Sequence, residues 1–209
     1  MRLAPYRRLL GRMDGLAIWR VDGHAVRDRL DVEFTNGHHH FTRRYVPLAE
    51  IWLDREPPGS GEWRFWARHQ LVERAEMAAG APYPTALVRA NRVERAERRA
   101  AEPPRKLRRR LLGAVDRRDV WLVDGCAVRT RFHLDFTLGG HGFRYRFIPR
   151  REIWIDDAVA PAERPAILHH EAVEVELMAR GMRYVDAHAR ASTAEARFRA
   201  GQAECRLAP

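Results

Sequence analysis

Apolar and polar positions alternate with period two through the middle of the second half of this chain, and the period then lengthens to that of a helix. Phe132, Leu134 and Phe136 alternate with polar neighbours, and so do Phe143, Tyr145 and Phe147. That spacing predicts half-buried strands. A strand over Val120–Val123, a turn at Asp124-Gly125 and a second strand over Ala127–Phe136 read as a hairpin, because both turn residues tolerate positive φ. Gly139-Gly140-His141-Gly142 reads as a loop, and Glu152–Ile155 as a further short strand. From Glu163 to Arg180 the pattern is helical, with Gly181 placed to cap its C-terminus; a second helix runs from Tyr184 to Ala200, followed by Gly201.

The same plan occurs earlier. Residues 19–98 align with 121–199 at an offset of 102 that drops to 101 midway. Trp19-x-Val21-Asp22-Gly23-x-Ala25-Val26-Arg27 returns as Trp121-x-Val123-Asp124-Gly125-x-Ala127-Val128-Arg129, and Pro47-x-x-Glu50-Ile51-Trp52-x-Asp54 as Pro149-x-x-Glu152-Ile153-Trp154-x-Asp156. The first-copy helices fall near Trp63–Ala79 and Pro84–Arg99. A period this long means tandem units. The expected fold is α+β: two homologous units, each a small antiparallel sheet followed by two helices, packed pseudo-symmetrically through sheet or Trp-bearing surfaces as an internal pseudo-dimer. The recurring Trp19/Trp121 and Trp52/Trp154 are expected in packing. Residues 1–102 form the first repeat, 103–118 a basic connector broken by Glu102-Pro103-Pro104, and 119–209 the second repeat. Residues 105–118 read as a short basic helix.

Composition narrows the setting. The chain has 209 residues, 45% of them hydrophobic, and only two cysteines, Cys126 and Cys205. That is no disulfide framework and points to a reducing cytoplasm. The opening Met1-Arg-Leu-Ala-Pro-Tyr-Arg-Arg lacks a signal-peptide core, and no apolar run reaches a membrane span. Net charge is +10; between Arg89 and Arg118 twelve Arg or Lys face four acids, a local excess of +8. This stretch is the candidate contact for nucleic acid or an acidic partner, although it lacks interleaved aromatics.

Candidate chemistry comes from polar residues on an apolar helix face. At about 100° per residue, His170, Glu171 and Glu174 fall among Ile167, Leu177 and Met178, while His169 and Glu176 lie opposite. On the next helix His188 and Glu195 edge the stripe of Tyr184, Ala187, Ala191, Ala194 and Phe198. Packing the two helices brings His170, Glu174, His188 and Glu195 together. Buried carboxylates without partners cost several kcal/mol each. One resolution is a divalent metal, Zn first with Fe or Mn as alternatives, held by His170, Glu174, His188 and Glu195, with Glu171 as general base. The other is a salt-bridge network with counter-charges from Arg144, Arg146, Arg150 and Arg151. The first copy has His69, Gln70, Glu73, Leu87 and Glu94 at the matching places. Gln cannot accept a proton and Leu cannot ligate, so only the second copy is complete. His141 and the run His38-His39-His40 read as loop residues.

Asp135-Phe136-Thr137-x-Gly139-Gly140-His141-Gly142, Ile148-Pro149-x-x-Glu152-Ile153-Trp154-Ile155-Asp156, Leu168-x-His170-Glu171-x-x-Glu174 and Leu177-Met178-x-x-Gly181-Met182-x-Tyr184-x-x-Ala187-His188, with Glu195, resemble a small family of uncharacterised bacterial and phage-associated proteins. Those proteins carry an HE-x-x-E helix followed by an A-H-x-x-A-x-x-x-E helix. The resemblance covers nearly all of residues 120–199. The layout is also similar to minimal zincin metallopeptidases, which use HE-x-x-H; here Glu174 stands where their second His would be. The resemblance implies His170 as ligand and Glu171 as base. Two functions follow as expectations. One is a metal-dependent hydrolase, zincin-like and acting on a peptide or amide bond of unknown substrate. The other is a non-enzymatic structural or binding protein, a phage or assembly component or a nucleic-acid binder, whose His/Glu cluster only stabilises the fold.

Overall fold

A computed structural model describes residues 5–101, 107 and 109–207, with side chains up to residue 202. The first unit comprises β1 (Tyr6–Met13), β2 (Leu16–Val21), α1 (Gly23–Arg29), β3 (Gly37–His39), β4 (Glu50–Leu53), α2 (Glu62–Ala78) and α3 (Tyr83–Ala101). The second repeats it as β5 (Arg109–Val115), β6 (Arg118–Val123), α4 (Gly125–Arg131), β7 (Gly139–His141), β8 (Glu152–Asp156), α5 (Arg164–Ala179) and α6 (Tyr184–Leu207). Each unit is a four-stranded sheet with helices, in the order β1-β2-β4-β3 and β5-β6-β8-β7. The α+β tandem arrangement and both helix pairs are as expected, except that α6 continues through Gly201 to Leu207 where an end at Ala200 was expected. The sheets are mixed rather than antiparallel throughout: the outer pairs are antiparallel, and the central pairs β2–β4 and β6–β8 run parallel.

The central strands are apolar on both sides because both sheet faces are covered. Along β8, Ile153 and Ile155 pack with Ile167 and Val175 of α5, while Trp154 points the other way to Val128, Phe136 and Ile148. In the first unit Ile51 and Leu53 meet Trp66, Ala67 and Leu71, and Trp52 meets Val26, Phe34 and Val46. Trp52 and Trp154 thus serve the cores of their own units. Gly80 and Gly181 end α2 and α5 at φ +94° and +90°, where glycine is the unstrained choice.

Four local expectations are corrected. Asp22-Gly23 and Asp124-Gly125 are not hairpin turns. The Asp side chains cap α1 and α4, accepting from Ala25 N at 3.1 Å and Ala127 N at 2.9 Å. Glycine follows because a Cβ there would collide with the carboxylate of Asp54 or Asp156. The hairpins turn instead at Asp14-Gly15 and Asp116-Arg117, all at positive φ. Consequently 127–136 is helix α4 and an irregular segment rather than a strand, and 143–147 also lies outside any strand. The Gly/His stretch holds β7 in place of a loop. Within the connector, residues 109–115 form strand β5 rather than a helix. This strand carries an overlooked piece of the repeat: Arg7-Arg8-Leu9-Leu10-Gly11 matches Arg109-Arg110-Leu111-Leu112-Gly113. Glu102-Pro103-Pro104, Arg105, Lys106 and Arg108 lie outside the described residues.

The units meet around two buried arginines related by the repeat. Arg27 pairs with Asp54 of its own unit at 2.7 Å and with Glu163 of the other. Arg129 pairs with Asp156 of its own unit and with Glu62 of the other, the latter at 2.7 Å. Arg98 and Arg199 complete the two sets on Glu62 and Glu163. This reciprocity is that of a two-fold interface written into one chain. It runs through α1, α4 and these ion pairs, where sheet or Trp surfaces were expected.

Burial alone would raise the pKa of Glu62, but Arg129 and Arg98 outweigh it and hold the group at about 2, down from 4.5. A depressed carboxylate stabilises the fold above its unfolded pKa, and that contribution disappears as pH falls through the folded value. Glu62 alone should therefore contribute roughly 3 kcal/mol at neutral pH, lost between about pH 4.5 and pH 2. Urea unfolding curves at pH 6 and pH 2.5 check this. Equal stabilities would contradict it.

Candidate metal centre

The α5–α6 hairpin puts its polar residues against β7 and the first unit. His170 and Glu174 are one turn apart on α5, and His188 comes from α6. Three atoms converge: Glu174 Oε2 is 2.7 Å from His188 Nδ1 and 3.5 Å from His170 Nε2, and the two ring nitrogens are 3.2 Å apart. His170, Glu174 and His188 form one group of metal-ligating geometry among the described residues.

Each of the three has its remaining polar atom held from elsewhere. His170 Nδ1 donates to Glu195 Oε2 at 2.9 Å, so Glu195 stands behind the ring, outside the convergent group. His188 Nε2 donates to Glu33 Oε2 of the first unit at 3.1 Å. His141 Nε2 donates to Glu174 Oε1 at 3.0 Å, while its Nδ1 accepts from Phe143 N. His141, expected in a loop, is therefore a fully buried β7 residue that fixes the Glu174 carboxylate. No local pattern in the chain marks this, nor Glu33, which arrives from the other unit. Glu171 is buried beside them; a carboxylate oxygen of Glu171, a ring nitrogen of His141 and a carboxylate oxygen of Glu174 lie within 4.8 Å of one another. A Cβ on Gly139 would press on it, and this close approach suits the glycine at that strand position.

Electrostatics follow from this packing. Burial raises Glu171 to about 7, with the negative Glu174 adding to the effect against neighbouring imidazoles. Burial opposes protonation of His170, yet its bonds to Glu174 and Glu195 raise it to about 10. Bonds to Glu174 and Glu33 raise His188 to about 9. Glu174 is held far below the usual carboxylate range: burial works against this, and its three histidine partners prevail. The counter-charges of the cluster are these histidines and Arg199, which bonds Glu195 at 2.8 Å. Of the expected set from the 144–151 segment, Arg144 lies over Tyr145 and Tyr184 and Arg150 over Phe143, and Arg146 and Arg151 are exposed.

The first unit keeps the frame and lacks the centre. His39 Nε2 donates to Glu73 Oε1 at 3.1 Å, and His69 Nδ1 donates to Glu94 Oε2 at 2.8 Å. His39 is thus fully buried, not part of a solvated His38-His39-His40 loop. Leu87 and Gln70 line the corresponding cavity, of about 470 Å³, where His188 and Glu171 line one of about 190 Å³. Asp135 borders the first-unit cavity just as Glu33 borders the second, so each cavity is completed by the opposite unit.

Four arginines of the basic run form ion pairs among the described residues, and only those of Arg98 are buried. Arg89 pairs with Glu76, Arg98 with Glu62 and Glu94, Arg109 with Glu152 and Arg118 with Glu176. No described helix is long and apolar enough to cross a membrane. No family model, curated protein or solved structure matches this chain.

Proposed function

We propose that the second unit holds a divalent metal and hydrolyses an amide or ester bond, with His170, Glu174 and His188 as ligands, Glu195 as an orienting group and Glu171 as general base. The observation that carries this reading is the set of outer partners. Glu195, Glu33 and His141 each occupy the far atom of one candidate ligand and leave its near atom turned to a common point. Such partners fix tautomer and ring orientation at metal sites. The donor triangle has edges of 2.7, 3.2 and 3.5 Å. A tetrahedral ion with ligand bonds of about 2.1 Å has edges of roughly 3.4 Å. Two imidazoles and a carboxylate suit Zn, and also Fe or Mn.

A bound ion would supply the positive charge that polarises a scissile carbonyl and acidifies a water. The protein's part is proton traffic. Glu171 accepts the proton of the attacking water and delivers it to the leaving amine or alcohol as the C–N or C–O bond breaks. The water's oxygen stays on the acyl carbon, so the products are an acid and an amine or alcohol. Glu171→Gln is expected to keep its ion, measured by elemental analysis. Its turnover of chromogenic esters and amides should drop by about 10²–10⁴-fold. Unchanged turnover would remove Glu171 from the base role. Glu195→Gln should weaken Zn binding by about 10–100-fold in a chelator competition.

One observation favours the second reading, a purely structural network. The first unit retains His39, Glu73, His69 and Glu94 in the same bonds without a third ligand. In that reading the carboxylates of the second unit serve only to hold protonated His170 and His188.

A further inference from the structure

Three polarity differences between the copies meet in one cavity. Glu171 replaces Gln70, His188 replaces Leu87, and Arg144 stands where the first copy has Thr42. All three second-copy residues line the cavity of about 190 Å³ that holds the candidate ligands. The first two changes complete the proposed metal chemistry. The third puts a cation next to it.

Arg144, half-buried at the cavity, is unlike the buried arginines. Arg27, Arg98, Arg129 and Arg199 each grip carboxylates. Among the described residues no carboxylate lies within ion-pair distance of Arg144, and its Nε is buried without a hydrogen-bond partner. Its guanidinium lies over the rings of Tyr145 and Tyr184, 4.9 and 4.4 Å from their centroids. Two aromatic faces hold the fork in place and leave donors for another group. Leaving a buried donor unmatched is costly, and a planar guanidinium matches the oxygens of a carboxylate or phosphate. The carboxylates of Glu33, Asp135, Glu171, Glu174 and Glu195 line the cavity beside His170 and His188, and Arg144 is the lining residue whose guanidinium can pair with an anionic ligand.

We propose that Arg144 anchors an oxyanion of the substrate, so that the second unit acts on small amides or esters bearing a carboxylate or phosphate group. This rests on the metal-hydrolase reading of the same site. The cavity volume lies below the 300 Å³ or so of drug-sized ligand sites, which limits the substrate to a short acyl compound.

The test is calorimetric binding of three hydroxamates to the Zn-loaded protein: acetohydroxamate, succinomonohydroxamate and phosphonoacetohydroxamate. Wild type, Arg144→Gln and Arg144→Lys are compared, with thermal unfolding as the fold control. In wild type at least one acidic compound should bind about 10–100-fold tighter than acetohydroxamate. Arg144→Gln should abolish that gain and leave acetohydroxamate unchanged, and Arg144→Lys should keep part of it. Whichever acidic compound gains more identifies the group as carboxylate or phosphate. An equal gain in Arg144→Gln overturns the anchor. If acetohydroxamate fails to bind at all, the metal reading fails by itself; succinate and methylphosphonate titrated into metal-free protein then decide the anchor. Binding that depends on Arg144 supports it, and none overturns it.

Discussion

Arg129→Met is expected to lower the unfolding free energy by about 3–5 kcal/mol, because it strips a partner from charges that stay buried. Arg129 has no exposed side-chain surface, and neither does Glu62; Asp156 is 1% exposed. The substitution leaves Asp156 without its cation and Glu62 with Arg98 alone. Methionine fills much of the volume, so the loss measures charge left unpaired more than a cavity. Arg27→Met should cost a similar amount on the other side, since Arg27 joins Asp54 to Glu163 in the same way. Arg183→Met is the control: its pair with Asp186 is 84% and 49% exposed and should change stability by less than about 0.5 kcal/mol. Urea unfolding at neutral pH reads all three. Losses below about 1 kcal/mol for both core arginines would show that the reciprocal ion pairs do not hold the units together.

The second large effect is a gain. Leu87→His together with Gln70→Glu should give the first unit its own ion, raising bound metal from one equivalent to two. The unit already holds His69 and Glu73, the counterparts of two candidate ligands, in the matching attitude. Glu73 Oε1 is engaged by His39, and Glu73 Oε2 lies 3.5 Å from His69 Nε2, as the matching atoms do in the second unit. His69 is turned by Glu94, and Asp135 borders the cavity where Glu33 serves His188. The cavity of about 470 Å³ has room for an imidazole in place of Leu87. Elemental analysis of the double variant beside wild type reads the outcome. If wild type carries one equivalent and the variant still carries one, the three ligands and their outer partners are not sufficient for the site.

Long periodic elements were legible in the sequence. Helices α2, α3, α5 and α6 showed their period over several turns, and the misplaced polarity of His170, Glu171 and Glu174 singled out the site on one of them. What failed to show was set by contacts distant in sequence. Asp124-Gly125 fits a hairpin turn as well as a helix cap; the approach of Asp156 from β8, with the Asp124 cap on Ala127, selects the helix. Strand β7 has three residues and two glycines, too short for a period, and its pairing with β8 defines it. Strand β5 is exposed along most of its length, so its arginines read as a helical linker, although the match to Arg7–Gly11 carried the signal. His141 and Glu33 join the site from a neighbouring strand and from the opposite unit, which no helix projection can include. The buried pairs Arg27–Glu163 and Arg129–Glu62 likewise become visible only once two copies face each other.

The most direct test of the metal centre is elemental mass spectrometry of the purified, untagged protein beside His188→Ala. The account predicts close to one equivalent of Zn, Fe or Mn in the wild type and loss of that ion in the variant, with folding retained. No ion in either protein, and no change in stability when metal is added, would contradict it and leave the cluster as a structural network.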